Sequence, residues 1–277
     1  MKREKKASKI IVTVVLAVLA FCFVLPLVWM ICSSLKTTTE VFGKPFHWLP
    51  AVTQWGNYGK VWTDETINML TAYGNTLKIT LLGTAGQLII ASMAAYAFAK
   101  IDFSGKNAIF MLFLSSMMVP SQVTIIPRYM LFKTIGLYNN HWAIILPMWF
   151  GATAIFLLRQ FYIDLPTDLM EAAKIDGAGH GRIFVQIMMP LTKPAMVSIF
   201  LLGFVSSWNE YLSPLIFLTD TKKFTISQAI RWYLLDDLQR YELTMAAATS
   251  AIIPVLILFL ACQKYFVEGI SMSGVKG

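Results

Sequence analysis

A chain of 277 residues that is 57% hydrophobic and only 14% charged, with a mean hydropathy of +0.62, is too apolar for water; soluble domains carry about 25% charged residues. Its net charge of +8 sits in short clusters beside apolar runs, with no basic face interleaved with aromatics, which excludes nucleic acid and points to membrane flanks. Apolar runs spread along the whole chain leave no separate soluble core, so the sequence predicts a single transmembrane domain over 1–277, with lipid as its solvent.

The first apolar run, from Ile10 to Cys32, follows a basic start of Lys2, Arg3, Lys5, Lys6 and Lys9. It exceeds the about 7–15 apolar residues of a secretory signal and lacks an Ala-x-Ala cleavage site, so it is expected to stay attached as a helix. Five more runs approach the about 20 residues that a spanning helix needs: Ile79 to Ala99, Asn107 to Pro127, His141 to Tyr162, Pro194 to Leu218 and Met245 to Val267. Six spans in an all-α fold follow. Pro26, Pro120, Pro147, Pro214 and Pro254 fall inside them and predict kinks, since neighbouring helices can satisfy the freed backbone groups.

The connections differ in character. Residues 33–78 form a long stretch with Trp, Pro and Asn, whereas 100–106 and 128–140 are short. Residues 163–193 are polar, and 219–244 are of mixed charge. Lys and Arg are densest on the side holding the N-terminal segment, Lys100, Lys106, Arg159, Lys174, Arg182, Lys193 and the tail. The opposite side spreads Lys36, Lys44, Lys60, Arg128, Lys133, Lys222, Lys223, Arg231 and Arg240 over longer loops. The excess of basic residues on cytoplasmic loops places both termini and the polar insert in the cytoplasm.

That insert, 164–193, is the most detailed part of the chain. Pro166 to Asp168 supplies a helix start, with Thr167 or Asp168 as acceptor for a free backbone N–H and Glu171 three residues after Asp168, as in a capping box. A first helix is predicted over 169–176 and stops at Gly177, which can take the left-handed conformation of a helix C-terminus. Residues 178–181 turn a corner; a second helix follows over 182–189, stopped by Pro190 and Pro194. Ala172 and Ala173 leave the first helix a narrow, flat side able to press into a groove.

Glu171-Ala172-Ala173, then Gly177, then Ile187 and Pro190, resembles the loop shared by permease subunits of bacterial ABC importers; Met189 stands where that family usually has leucine. Pro120-Ser121-Gln122-Val123, Leu157-Leu158-Arg159-Gln160-Phe161, Asp176-Gly177-Ala178, Trp208-Asn209-Glu210-Tyr211 and Gly274-Val275-Lys276-Gly277 extend the likeness to the carbohydrate-uptake branch, and most to the maltose-transporter type of second permease. The resemblance implies a five-helix core (about 71–267) plus an N-terminal helix, in a bacterial inner or cytoplasmic membrane. It also implies a second permease subunit, two ATP-binding cassette subunits carrying ATP and Mg, an external solute-binding protein and a sugar cargo. It makes Glu171, Ala172, Ala173, Asp176, Gly177 and Ala178 the ATPase-coupling element, and sets a cytoplasmic tail (268–277, with Gly274, Val275, Lys276 and Gly277) near the ATPase junction.

Polar groups at membrane depth face a cavity or another helix. Trp208, Asn209, Glu210 and Tyr211, placed toward the outer half of the fifth span, offer hydroxyl partners and aromatic faces for a sugar, or a hydrogen bond to the second permease; Gln122 belongs to the same class. Gln87, Ser115, Ser116 and Trp149 are weaker candidates. Gly177, Gly179 and Gly181 are not a phosphate loop, because no strand precedes them and no Gly-Lys-Ser/Thr follows. The chain is therefore expected to bind no ATP or other cofactor itself. His47, His141 and His180 lie on different loops without ligand spacing, and Cys22, Cys32 and Cys262 lie in or beside apolar runs, so neither a metal nor a catalytic residue is expected. A secondary transporter or channel is the alternative; it predicts inverted repeats or a midplane ionisable cluster, and the sequence displays neither.

Overall fold

The computed structural model describes residues 2–235 and 240–274, with side chains over 9–235 and 240–263. These residues form fifteen α-helical segments in chain order: α1 (Lys2–Ser34), α2 (Thr38–Val41), α3 (Gly56–Thr63), α4 (Met69–Lys100), α5 (Lys106–Ser115), α6 (Ser121–Thr134), α7 (Trp142–Met148), α8 (Ala152–Asp164), α9 (Asp168–Ile175), α10 (His180–Ile183), α11 (Met189–Leu191), α12 (Lys193–Trp208), α13 (Leu212–Phe217), α14 (Ile226–Leu235) and α15 (Tyr241–Gly274). Among them, Lys9–Ser34, Met69–Lys100, Trp142–Asp164 and Tyr241–Gln263 are long and apolar enough to span. Two bent pairs, Lys106–Met118 with Ser121–Thr134 and His180–Leu191 with Lys193–Trp208, bring the number of candidate spans to six. The all-α, six-span expectation holds.

Three spans depart from the predicted straight or kinked rods, each for a local backbone reason. The third is folded by 98° at Val119-Pro120. Proline disfavours the helical region for the residue before it, and Val119 is extended (φ −83°, ψ 114°). The helix that follows runs to Thr134, so Arg128, expected in a loop, lies within α6. The fourth is interrupted between Met148 and Ala152, where Gly151 is extended (φ −70°, ψ 109°). The fifth ends its long helix at Trp208 and resumes as α13, which places Asn209, Glu210 and Tyr211 in the break and not on a continuous helix. Pro190 does not stop the second insert helix, as predicted. It lies near the end of a helix that runs unbroken from His180 to Leu191, directly after the π-helical turn of Phe184–Met188, and the chain turns 76° between Leu191 and Lys193 instead. The last helix continues through the predicted tail as far as Gly274.

The chain divides into two compact units. One comprises the residues up to Leu70 together with Ala229–Ile253; the other comprises Thr71–Gln228 with the last helix from Pro254 onward. In the first, Tyr233 is fully buried and its hydroxyl lies 3.2 Å from the Ile67 carbonyl oxygen, to which it donates. In the second, a core of Ala91, Ala95 and Tyr96 from α4 meets Ile155, Leu158 and Tyr162 from α8 and Ala195 and Ile199 from α12. Small residues let these helices approach closely, the packing that membrane helices rely on when lipid supplies no hydrophobic drive. At Gly86 a β-carbon would land inside the Trp149 indole, whose Nε1 donates to the Leu82 carbonyl at 3.0 Å.

Candidate functional site

The polar insert is a rigid corner held on the membrane core. Helix α9 ends with Gly177 at φ +79°, its N–H donating to the Lys174 carbonyl at 3.0 Å, while the Ala178 N–H reaches back to the Ala173 carbonyl at 2.9 Å. That pair of bonds is the Schellman arrangement, which requires a left-handed residue at Gly177's position. The predicted capping box at the other end does not form. Thr167 is the N-cap, its backbone carbonyl accepting from Met170 (2.8 Å) and Glu171 (3.1 Å), with no side-chain bond. Gly179 then opens α10, which continues as a π-helical turn over Phe184–Met188; such turns recur at functional sites.

The two alanines do not share one face. Ala173 is buried, joining Met170, Ile183 and Met188 in the core cluster that contains Tyr96, Leu158 and Tyr162. Ala172 faces outward with Glu171, Asp176 and Gly177. Successive residues on a helix are about 100° apart, which is why adjacent small residues cannot make one flat side. The exposed surface is instead led by Ile175, 86% accessible, a residue that sequence reasoning passed over. Its signal was its place as the last residue of the helix, two positions before the Gly177 stop.

Polar bonds fix the corner to the helices beneath. The Tyr96 hydroxyl lies 3.3 Å from His180 Nδ1, and the Tyr162 hydroxyl shares a 2.7 Å bond with Ser92 and accepts from Thr192 at 3.4 Å. Lys100 Nζ donates to the Leu165 carbonyl at 2.6 Å, and Arg159 Nε donates to the Phe98 carbonyl at 3.2 Å with its guanidinium over the Phe110 ring. Packed side chains and these bonds thus join the corner directly to α4 and α8.

A second feature lies within the helices of the same unit: a cavity of about 450 Å³ lined by Gln87, Arg128, Thr153, Ser206, Glu210 and Ser213 among apolar residues of α7, α8 and α12. Glu210 Oε1 accepts the Ser213 N–H at 2.8 Å, Arg128 Nη2 donates to Ser213 Oγ at 3.3 Å, and the Glu210 carboxylate attracts the Arg128 guanidinium. Gln87 reaches the cavity because Gly151 and Gly203 leave room for its amide. Of the four adjacent residues expected to act together, only Glu210 lines the cavity. Trp208 is buried, stacked on Phe204 at 5.5 Å and edge-on to Tyr73, and so offers no face to a ligand. Asn209 is exposed and donates to the Val205 carbonyl at 2.8 Å. Tyr211 is half-buried and Gln122 is exposed on α6, and neither lines the cavity. Arg128 was missed as a cavity residue because its run of neighbours reads as a loop. Ser115 and Ser116 bond back to their own helix, at the Leu112 and Phe113 carbonyls.

His141 is buried and lies 3.0 Å from the Lys223 carbonyl through Nε2; burial pulls its pKa below the usual range, opposed by that bond and reinforced by the charges of Lys78 and Lys223. Among the predicted tail residues, Gly274 closes the last helix, while Val275, Lys276 and Gly277 lie outside the described residues.

Apolar spans, a polar corner bonded to the ends of α4 and α8, and a cavity lined by Gln87, Arg128 and Glu210 within the same unit define a class first: a polytopic membrane permease. Comparison then places it more narrowly. The chain belongs to the family of binding-protein-dependent transport system inner membrane components, whose pattern matches residues 87–272. It is 33% identical to the arabinooligosaccharides transport system permease protein AraQ of Halalkalibacterium halodurans, over 99% of this chain and 100% of that one. It is 32% identical to the melibiose/raffinose/stachyose import permease protein MelC of Bacillus subtilis over the full length of both, and 31% identical to the sn-glycerol-3-phosphate transport system permease protein UgpE of Pectobacterium atrosepticum over 94% of each. Its fold matches a chain of a bacterial ABC transporter that imports the acidic polysaccharide alginate, with a TM-score of 0.83, 26% identity and coverage of 95% and 98%. The protein is a permease subunit of an ABC importer.

Proposed function

We propose that this subunit forms the translocation path for a di- or oligosaccharide together with a second permease, receives cargo from an external solute-binding protein, and is driven by two ATP-binding cassette subunits. Those partners hydrolyse ATP with Mg; this chain does not. Residues 164–193 face the cytoplasm with both termini and seat in the ATPases: Glu171 as a charged contact, Ala172 and Ile175 as the apolar knob, Asp176, Gly177 and Ala178 as the corner. Ala173 serves inward, as the packing that transmits the push. Gly274 to Gly277 lie near the ATPase junction.

The observation that carries this reading is the corner itself. A short helix stopped at Gly177 (φ +79°) and packed on the core through Met170 and Ala173 leaves Glu171, Ala172 and Ile175 facing outward on a firm base, the form of surface that a partner can push on. Sugar as cargo is supported by relatives whose names specify oligosaccharides and by the hydroxyls of Thr153, Ser206, Ser207 and Ser213 and the Gln87 amide that line the cavity with Glu210. The test is uptake by the assembled importer in proteoliposomes with its binding protein. ATP-dependent accumulation of a labelled oligosaccharide is expected, abolished when the ATPases are omitted. Accumulation of glycerol phosphate in place of sugar would refute the cargo assignment, and ATP-independent flux would refute the drive.

A further inference from the structure

The connection between α1 and α3 carries Phe42, Phe46, Trp48, Leu49, Val52 and Trp55, all exposed, from 47% at Trp48 to 72% at Leu49. Contiguous apolar surface of this kind marks an interaction site, and the geometry states the depth at which it is held. The Gln54 N–H donates to the Leu35 carbonyl at 2.9 Å, and Asn57 Nδ2 donates to the carbonyls of Ser34 and Lys36 at 2.9 Å each. The Ser34 and Tyr58 hydroxyls share a 2.7 Å bond, and the Phe42 ring lies 6.0 Å from Trp29, more than a turn before α1 ends. Both limbs of the connection are thus stitched to the final turns of α1.

Helix α1 is itself a candidate span, Lys9–Ser34, with none of its most apolar stretch buried within the chain. A span ends where headgroups begin, so side chains tied to its last turns sit at that level. Tryptophan, with an apolar body and one N–H donor, is enriched there. Lys36, 1% exposed, ties the connection together from within: its Nζ donates to the His47 carbonyl at 2.5 Å and lies 5.3 Å from the Phe46 ring centroid.

We infer that residues 42–55 form an interfacial collar, seated in the boundary between phospholipid headgroups and acyl chains around the end of α1. They are a lipid surface and not a docking site for a soluble or membrane protein. The inference is independent of the cargo and of the coupling element.

Nitroxide labels test it. Leu49→Cys and Val52→Cys are made one at a time in a Cys22→Ser, Cys32→Ser, Cys262→Ser background, with Glu65→Cys as the aqueous reference. Each is assembled with its permease and ATPase partners in phosphatidylethanolamine–phosphatidylglycerol nanodiscs. The expected result is a ratio of oxygen to aqueous nickel-complex accessibility several-fold higher at 49 and 52 than at 65, unchanged when the external binding protein is added. High nickel accessibility at 49 and 52 would show water around the collar and overturn the inference. Low accessibility to both reagents would show a protein covering it and overturn it equally. The two labelled sites are both surface positions, so loss of assembly by one leaves the other to decide.

Discussion

Gly177 is the residue at which backbone geometry and proposed function meet. Nothing lies within 4 Å of a β-carbon built there, so space is not the constraint; the φ of +79° is. An L-residue held in that region costs about 1–2 kcal/mol, and asparagine pays least among non-glycines. Gly177→Leu is therefore expected to leave the complex assembled but lower the ratio of sugar imported to ATP hydrolysed, with Gly177→Asn retaining most of it. Equal coupling in all three proteins, measured in the same proteoliposomes, would dissociate the corner from transport.

His141 yields a pH prediction with a definite sign. Burial holds its folded-state pKa below the usual value of 6.5, so the unfolded chain binds more protons in the interval between the two. The stability it contributes is complete above the unfolded pKa and is lost as pH falls through that interval toward the folded value. Melting temperature should drop as pH falls below about 6.5, and that of His141→Gln, which keeps a donor for the Lys223 carbonyl, should drop less. An identical decline in both would assign the acid sensitivity elsewhere.

At the scale of elements, two devices do the positioning. Close approach of α4 to the α7–α8 break depends on Gly83 and Gly86, where added β-carbons would strike Met148 and Trp149. Overpacking of this kind costs about 1–3 kcal/mol, so Gly86→Val should lower the melting temperature and disturb the Trp149 bond to Leu82. Native-like thermal stability would mean the helices can part without penalty. The insert, in turn, is anchored by Ile183 and Met188, both fully buried. Truncating a buried aliphatic costs about 2–5 kcal/mol. Ile183→Ala should speed amide hydrogen exchange across α9 and α10 while leaving α12 protected.

The element scale also separates what patterning reveals from what it does not. The insert's helix, glycine stop and corner were readable because each rests on bonds between near neighbours. Ala172 and Ala173 were not separable, since which of two adjacent residues turns inward is set by the position of Tyr96, Leu158 and Tyr162, far away in the sequence. Similarly, Trp208-Asn209-Glu210-Tyr211 looked like one cluster, yet the helix break sends Trp208 into an aromatic stack, Glu210 into the cavity and Asn209 outward.

For the whole molecule, candidate spans with an exposed polar corner belong to a permease subunit of an ABC importer, and the proposed coupling predicts what it assembles with. Affinity capture of this chain, expressed with its genomic neighbours and solubilised mildly, should recover an ATP-binding cassette protein and a second permease. Recovery of this chain alone, with conductance of its own in a planar bilayer, would restore the channel alternative.

Sequence alone determined the solvent, the number of spans and the identity of the exposed corner, because those follow from composition, run length and local backbone preference. Only the tertiary structure decided that the third span folds by 98°, that Arg128 and Glu210 share one cavity through Ser213, and that Ala173 faces inward while Ile175 faces out. The shared cavity and the inward turn of Ala173 rest on residues distant along the chain, whose positions no periodicity within a single segment encodes, whereas at Pro120 the local backbone fixed the place of the bend but not its angle.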